Sequence, residues 1–179
     1  EPDIAVFAKG MTNGYPLAAI IGRKEIMDAA QGTFISSTFY TERVALAATC
    51  KTIEVYQRER VWEKQIEYGQ QVKKGWSRLA NKHNLHISVG GMDPLAHFRF
   101  DYDNPLEYKT FFTQEMLRQG FLASNAFYAS YAHSPQIISE YLEAVDKTFC
   151  IIEQIVEKGE RIEDYLQGPT CHAGFERLN

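Results

Sequence analysis

Six apolar side chains, Ile138, Leu142, Val145, Phe149, Ile152 and Val156, recur at spacings of four, three, four, three and four. That rhythm belongs to one face of an α-helix. Ser134 and Pro135 stand where a cap and a first helical residue belong. A helix of this length buries its stripe only against a second apolar surface. The chain offers one in Trp62, Ile66, Gly69, Val72, Trp76 and Leu79, spaced 4, 3, 3, 4, 3, which predicts a helix starting near Arg60. Between the two stripes, residues 86–89 and 96–100 read as strands around a turn at Gly90-Gly91-Met92-Asp93-Pro94. Residues 105–119 read as a helix with Pro105 in its first turn and Gly120 as its stop, and residues 121–123 and 127–132 as strands. Short helical structure is expected at 161–166. The second half is therefore an α+β unit with an antiparallel sheet.

The first half reads differently. Residues 3–8 form a short continuous apolar run, the pattern of a buried strand. A glycine-bearing loop, Gly10 to Pro16, leads to a second strand at 17–21. A short helix is expected at 23–30, an extended run at 33–37, and a helix over 41–58 capped by Thr41. Leu46, Cys50 and Ile53 mark one face of that helix, which makes Cys50 a small core residue. The charged stretch Gln57-Arg58-Glu59-Arg60 is the expected boundary, giving domains 1–58 and 59–179. The fold class is α/β followed by α+β.

Composition narrows the function. Lys and Arg number 19 against 23 Asp and Glu, a formal charge of −4, and the isoelectric point is near 5.8. No basic face suited to nucleic acid follows from this. No window approaches the roughly 20 consecutive apolar residues of a membrane span. Cys50, Cys150 and Cys171 are odd in number, with no CxxC, and the five histidines form no HExxH or HxH. Free thiols in a reducing cytoplasm are expected, and no metal site. The chain opens on Glu1 directly before an apolar run, with no signal-peptide pattern, and we expect further sequence upstream.

Lys9 is the residue with the most chemistry in prospect. It follows an apolar strand and precedes a loop carrying Gly10 and Gly14. A lysine there either reaches to solvent or stands at the carboxyl edge of a sheet, where α/β ligand sites form. Three further candidates have plain structural readings. Arg99 could bind a carboxylate bidentately or pair with Asp101. His133 could act chemically or pack and cap at the sheet edge. Tyr15 could line a pocket or serve the turn at Pro16.

The run Asp3-Ile4-Ala5-Val6-Phe7-Ala8-Lys9 through Gly14-Tyr15-Pro16-Leu17 and Ala19 resembles the lysine site of class III, fold-type I aminotransferases. It departs from them at Thr12-Asn13, where glycines are common, and at Ala18. The stretch Phe34 to Ala48 resembles the family's threonine loop and following helix, with Thr38 at the threonine position. Its Ser-Ser-Thr-Phe-Tyr-Thr-Glu-Arg form is closest to the branch around glutamate-1-semialdehyde aminomutase. Ser124 to Ser134 and the tail Gly174 to Asn179 resemble the same branch.

The resemblance implies the carboxyl-terminal portion of a pyridoxal-phosphate-dependent transferase fold: the end of the large-domain sheet, then the small domain. It implies pyridoxal 5′-phosphate as cofactor. Lys9 would form the internal aldimine and then shuttle the proton, and Thr38 would bind the phosphate across a homodimer interface. It implies an amino donor and a carbonyl acceptor as small-molecule partners, with transfer or isomerisation as the outcome. The family's ring-stacking aromatic, small-residue phosphate loop and pyridine-nitrogen Asp all precede the lysine strand. Asp3, six residues before Lys9, is at the wrong end of the strand for that Asp, so the chain alone is expected to bind cofactor weakly and not to transaminate. A non-catalytic truncated or interaction module of the same fold is the alternative. A dinucleotide site has no support, since no Gly-x-Gly-x-x-Gly follows a strand.

Overall fold

A computed structural model describes residues 2–36, 38–40 and 42–174. Thr41, the expected helix cap, Ser37 in the extended run, and residues 175–179 of the tail lie outside the described residues. The chain divides into two compact units, Glu1–Val61 and Trp62–Asn179.

The second unit is built on α3 (Val61–Lys82), β3 (Ile87–Met92), β4 (Leu95–Phe100), α4 (Pro105–Arg118), β5 (Ala126–Tyr128) and α5 (Pro135–Glu157). The sheet is antiparallel in the order β3-β4-β5. Along β4 the side chains alternate, with Ala96, Phe98 and Phe100 buried and Leu95, His97 and Arg99 exposed. One face therefore meets the helices and the other meets water. Phe98 centres the core: its ring lies 4.9 Å from Trp76, 5.2 Å from Phe112 and 6.0 Å from Phe149. The edge-on geometry suits aromatic quadrupoles, and each fully buried ring contributes about 1.5–3 kcal/mol of transfer free energy. The buried Trp76 Nε1–H donates to Tyr141 Oη at 2.9 Å; burial pushes that phenol's pKa up. Gly69 and Gly75 let α3 approach its neighbours. A Cβ on Gly69 would fall 1.6 Å from the Asp93 carbonyl oxygen, and one on Gly75 would fall 2.5 Å from Leu142 Cδ2.

The three long helices of this unit end alike. Asn84, Gly120 and Gly159 all have positive φ. The next residue's N–H, at Leu85, Phe121 and Glu160, bonds back to Ala80, Met116 and Ile155. This is the Schellman arrangement, in which a left-handed residue satisfies the last helical carbonyls. Ser134 caps α5 by accepting from the Ile137 amide at 3.3 Å, with Pro135 at the first helical position, as expected.

Four expectations need correction here. Gly90 and Gly91 lie in β3, and the turn is only Asp93-Pro94, because Met92 pairs with Leu95. Residues 121–123 are not a strand, since the Phe121 amide serves the α4 cap. The later strand is Ala126–Tyr128 rather than 127–132. On α3, Ile66 is exposed while Tyr68 is buried, so the inward face is rotated from the expected stripe at that end.

The first unit has β1 (Ile4–Phe7) and β2 (Ala19–Gly22), antiparallel with Phe7 opposite Ala19 and Ile4 opposite Gly22. Helix α1 (Lys24–Met27) runs on as a 3₁₀ turn over Asp28–Gly32, and α2 spans Arg43–Arg58. Helix α2 is capped by Glu42, whose carboxylate accepts from the Val44 and Ala45 amides at 2.7 and 3.0 Å. Those bonds hold the Glu42 carboxyl below the usual range. The expectation of a buried first strand fails: Val6, Phe7, Ile20 and Ile21 are all exposed. Cys50 is exposed too, as are Leu46 and Ile53; on α2 only Ala45 is buried. Periodicity gave the shared face but not a surface to cover it.

Candidate functional site

Strand β1 delivers Lys9. Ala8 is still extended, and Lys9 then turns sharply, with φ +55. A side-chain-bearing residue in this region costs roughly 1–2 kcal/mol, and such strain concentrates at functional sites. Asn13 at φ +51 and Gly14 at φ +119 complete the turn. Thr12 is almost fully buried, at 1% exposure. Its hydroxyl bonds the Lys9 carbonyl at 3.3 Å and also the Tyr15 carbonyl, pinning both ends of the loop. Sequence reasoning noted Thr12 only as a departure from glycine. Its hydroxyl in a Gly/Asn turn was the available signal.

Lys9 is exposed, and among the described residues no hydrogen bond or ion pair engages its ammonium group. It lines a shallow cavity of about 510 Å³ with Gly10, Asn13, Gly14, Tyr15 and Pro16. The same Tyr15 and Pro16 also border a larger cavity of about 720 Å³, walled on its other side by Phe39, Tyr40 and the start of α2. Helix α2 lies beside the Lys9–Met11 turn. The segment just after Thr38 thus meets the loop just after Lys9. Thr38 is exposed in the turn ahead of α2. Lys9 and Thr38 do not wall one common cavity among those described.

The donor set can be tested against the expected cofactor. An unpaired amine suits an aldehyde, and an exposed hydroxyl suits a phosphate oxygen. A carboxylate for a protonated ring nitrogen is not supplied by Asp3. That side chain sits at the opposite end of β1, where Oδ1 accepts from Arg23 Nη1 at 3.2 Å. The residues present fit the aldehyde and phosphate ends of the group.

The other candidates take structural roles. Arg99 Nε and Nη2 donate to Asp101 Oδ1 at 3.2 and 3.1 Å. His133 stacks on Phe127 with ring centroids 5.0 Å apart, and its Nδ1 accepts from the Ser130 amide. Burial lowers its pKa. Tyr15 is half exposed and lines both cavities.

Comparison with known proteins places these features in a class. The structure of the pyridoxal-phosphate internal-aldimine form of the FumI protein from Sphingopyxis sp. MTA144 superposes with a TM-score of 0.82 at 24% identity, over 93% of this chain and 41% of that one. The fold is thus part of a pyridoxal-phosphate-dependent transferase fold. The chain belongs to the class-III aminotransferase family, which it matches over residues 1–156. Pyridoxal phosphate is the cofactor of that family. Similar curated proteins include the aminopentol aminotransferase of Sphingopyxis macrogoltabida, 25% identical over 85% of this chain and 36% of that protein. Another is the glutamate-1-semialdehyde 2,1-aminomutase of Neisseria meningitidis serogroup B, 32% identical over 83% of this chain and 39% of that protein. The chain therefore spans well under half the length of these relatives. No helix among the described residues is long and apolar enough to cross a membrane.

Proposed function

We propose that this chain carries the cofactor-attachment lysine of a pyridoxal-phosphate-dependent aminotransferase or aminomutase. Unit Glu1–Val61 would be the end of its cofactor-binding domain, and unit Trp62–Asn179 its small domain. The observation that carries the reading is Lys9 itself. It is an amine without an ion-pair partner among the described residues, held in a strained left-handed turn at a strand end. The pinning of that turn by Thr12 fixes where the amine emerges.

When bound, the cofactor supplies an aldehyde that takes up amines and a ring that withdraws electrons. Lys9 Nζ offers the attachment point and, when released, a base that holds a proton and returns it to the neighbouring carbon. The Thr38 hydroxyl would donate to a phosphate oxygen. The Val44 and Ala45 amides at the start of α2 are already taken by the Glu42 carboxylate, so they are not free to donate to that phosphate. We further propose small-molecule amino donors and carbonyl acceptors as substrates. The whole protein would be a cytoplasmic homodimer, with Thr38 serving the partner's cofactor.

In the whole protein, Lys9→Ala should lower turnover by at least about 10²–10⁴-fold, the usual value of a lost proton-transfer group. Lys9→Arg should fail equally, because a guanidinium keeps the charge but does not condense with aldehydes. Thr38→Ala should weaken cofactor binding by about 10–100-fold, for one hydrogen bond to a charged group at ~1.5–3 kcal/mol. A Lys9→Ala protein that keeps its turnover would overturn the assignment. Whole protein that takes up no cofactor at all would favour the non-catalytic module.

A further inference from the structure

A cluster far along the chain from Lys9 has the chemistry of a metal site. His83 directly follows α3, and the left-handed Asn84 after it turns the chain away. Its imidazole is 6% exposed as a residue and reaches α5. Nδ1 lies 2.7 Å from Glu153 Oε2, and Nε2 lies 2.6 Å from Asp146 Oδ1. Cys150 lies one turn before Glu153 on the same face of α5. One ligand atom each from His83, Cys150 and Glu153 falls within 4.8 Å of the others.

The surroundings sort these groups by role. Both oxygens of Asp146 accept from Lys82 Nζ, at 2.8 and 2.7 Å. Asp146 is thus already ion-paired with Lys82 and serves as an acceptor for Nε2–H. Without a metal, Nδ1–H donates to Glu153 Oε2; once that proton is displaced, Nδ1 faces Glu153 and Cys150 with the Asp146 carboxylate behind the imidazole, the arrangement that orients a histidine toward a metal. Asn84 Nδ2 reaches Glu153 Oε1 at 3.4 Å, leaving Oε2 to the site. Cys150 is a free thiol, and among the described residues its Sγ has one long approach, 3.6 Å from Gln154 Nε2.

We propose that His83 Nδ1, Cys150 Sγ and Glu153 Oε2 bind a divalent transition metal of the zinc class, with Asp146 and Lys82 behind the histidine. The mixed N, S and O donors are those zinc takes, at about 2.0 Å to nitrogen and oxygen and about 2.3 Å to sulfur. Ligands of one such ion stand roughly 3.3–3.7 Å apart, so the His83–Glu153 hydrogen bond opens by under about 1 Å and the ion takes its place. The Cys150 thiolate and the Glu153 carboxylate balance the dication. Binding releases the thiol proton and any proton on Nδ1. Water fills the fourth position. The ion would join the end of α3 to the middle of α5, independently of the proposal for Lys9.

Cobalt(II) added to the 179-residue chain under reducing conditions tests this. The expected result is a near-ultraviolet thiolate-to-cobalt band that saturates at one cobalt per chain and is erased by one equivalent of zinc. Cys150→Ser should abolish it, Asp146→Asn should weaken affinity about 10–100-fold, and Cys50→Ser and Cys171→Ser should leave it unchanged. Should Cys150→Ser fold poorly, alkylation of the unaltered chain gives the same answer: zinc should slow modification of Cys150 and not of Cys50. No cobalt band, a band that survives Cys150→Ser, or no zinc protection of Cys150 would reduce the cluster to a hydrogen-bonded clamp and overturn the proposal.

Discussion

The two units solve the burial problem in opposite ways. In Trp62–Asn179, Trp76, Phe98, Phe112 and Phe149 share one dry core, and three helix ends are closed by the same motif. In Glu1–Val61, the apolar strand residues Val6, Phe7, Ile20 and Ile21 face outward, and Thr12 is the most deeply buried side chain. An apolar surface of that kind marks an interaction face. The unit with the finished core carries architecture. The unit with the exposed strands carries Lys9 and Thr38, the residues proposed to meet the cofactor.

Substitutions can break or sharpen this contrast. Phe98→Ala should have the largest effect, destabilising the second unit by about 3–5 kcal/mol as a buried aromatic is lost, read by urea denaturation. Ile20→Ala, at 59% exposure, should cost well under about 1 kcal/mol in the same assay. Equal effects at the two positions would erase the distinction. Gly69→Ala comes next, because its new Cβ must push Asp93 aside; we expect a loss of about 1–3 kcal/mol, confined to the second unit.

The exposed strand edges give the third expectation. The chain alone should self-associate as concentration rises, through β1 and β2. Charged replacements at Val6 and Ile20 should return it to monomer in gel filtration, whereas a concentration-independent monomer without them would contradict the reading.

The smallest effect concerns the α2 cap. Glu42 has a folded-state pKa below its ordinary value. Its contribution is therefore present above the unfolded-state pKa and is lost as pH falls through the depressed one. Acidification below about 4.5, the ordinary glutamate range, should lower the exchange protection factors of the Val44 and Ala45 amides, relative to their intrinsic rates at each pH, before the second unit responds. Glu42→Gln should lower that protection already at neutral pH and remove its further loss on acidification.

What the sequence disclosed follows from what periodicity encodes. Helices α3, α4 and α5, the cap at Ser134 before α5, the stop at Gly120 after α4, and the strand β4 were legible, because each is written in local spacing. The α3 stripe held from Val72 to Leu79 but not at Ile66, since spacing names a face and not its neighbour. Gly90 and Gly91 misled because glycine serves close approach as well as turns: a Cβ on Gly91 would fall 2.4 Å from the Leu95 carbonyl oxygen. At the candidate site, Lys9 and Thr38 were visible as motifs. The Thr12 pin was signalled only by a hydroxyl in a Gly/Asn turn, which does not name the carbonyls it bonds. The His83, Cys150 and Glu153 cluster joins residues nearly seventy positions apart, beyond any local pattern.

The central claim is that Lys9 is the amine that holds the cofactor. Whole protein loaded with pyridoxal phosphate, reduced with borohydride and digested, reports it directly by peptide mass. The account predicts a stable pyridoxyl adduct on the peptide containing Lys9, and none after Lys9→Ala. An adduct on a different lysine, or an undiminished one in the Lys9→Ala protein, would contradict it.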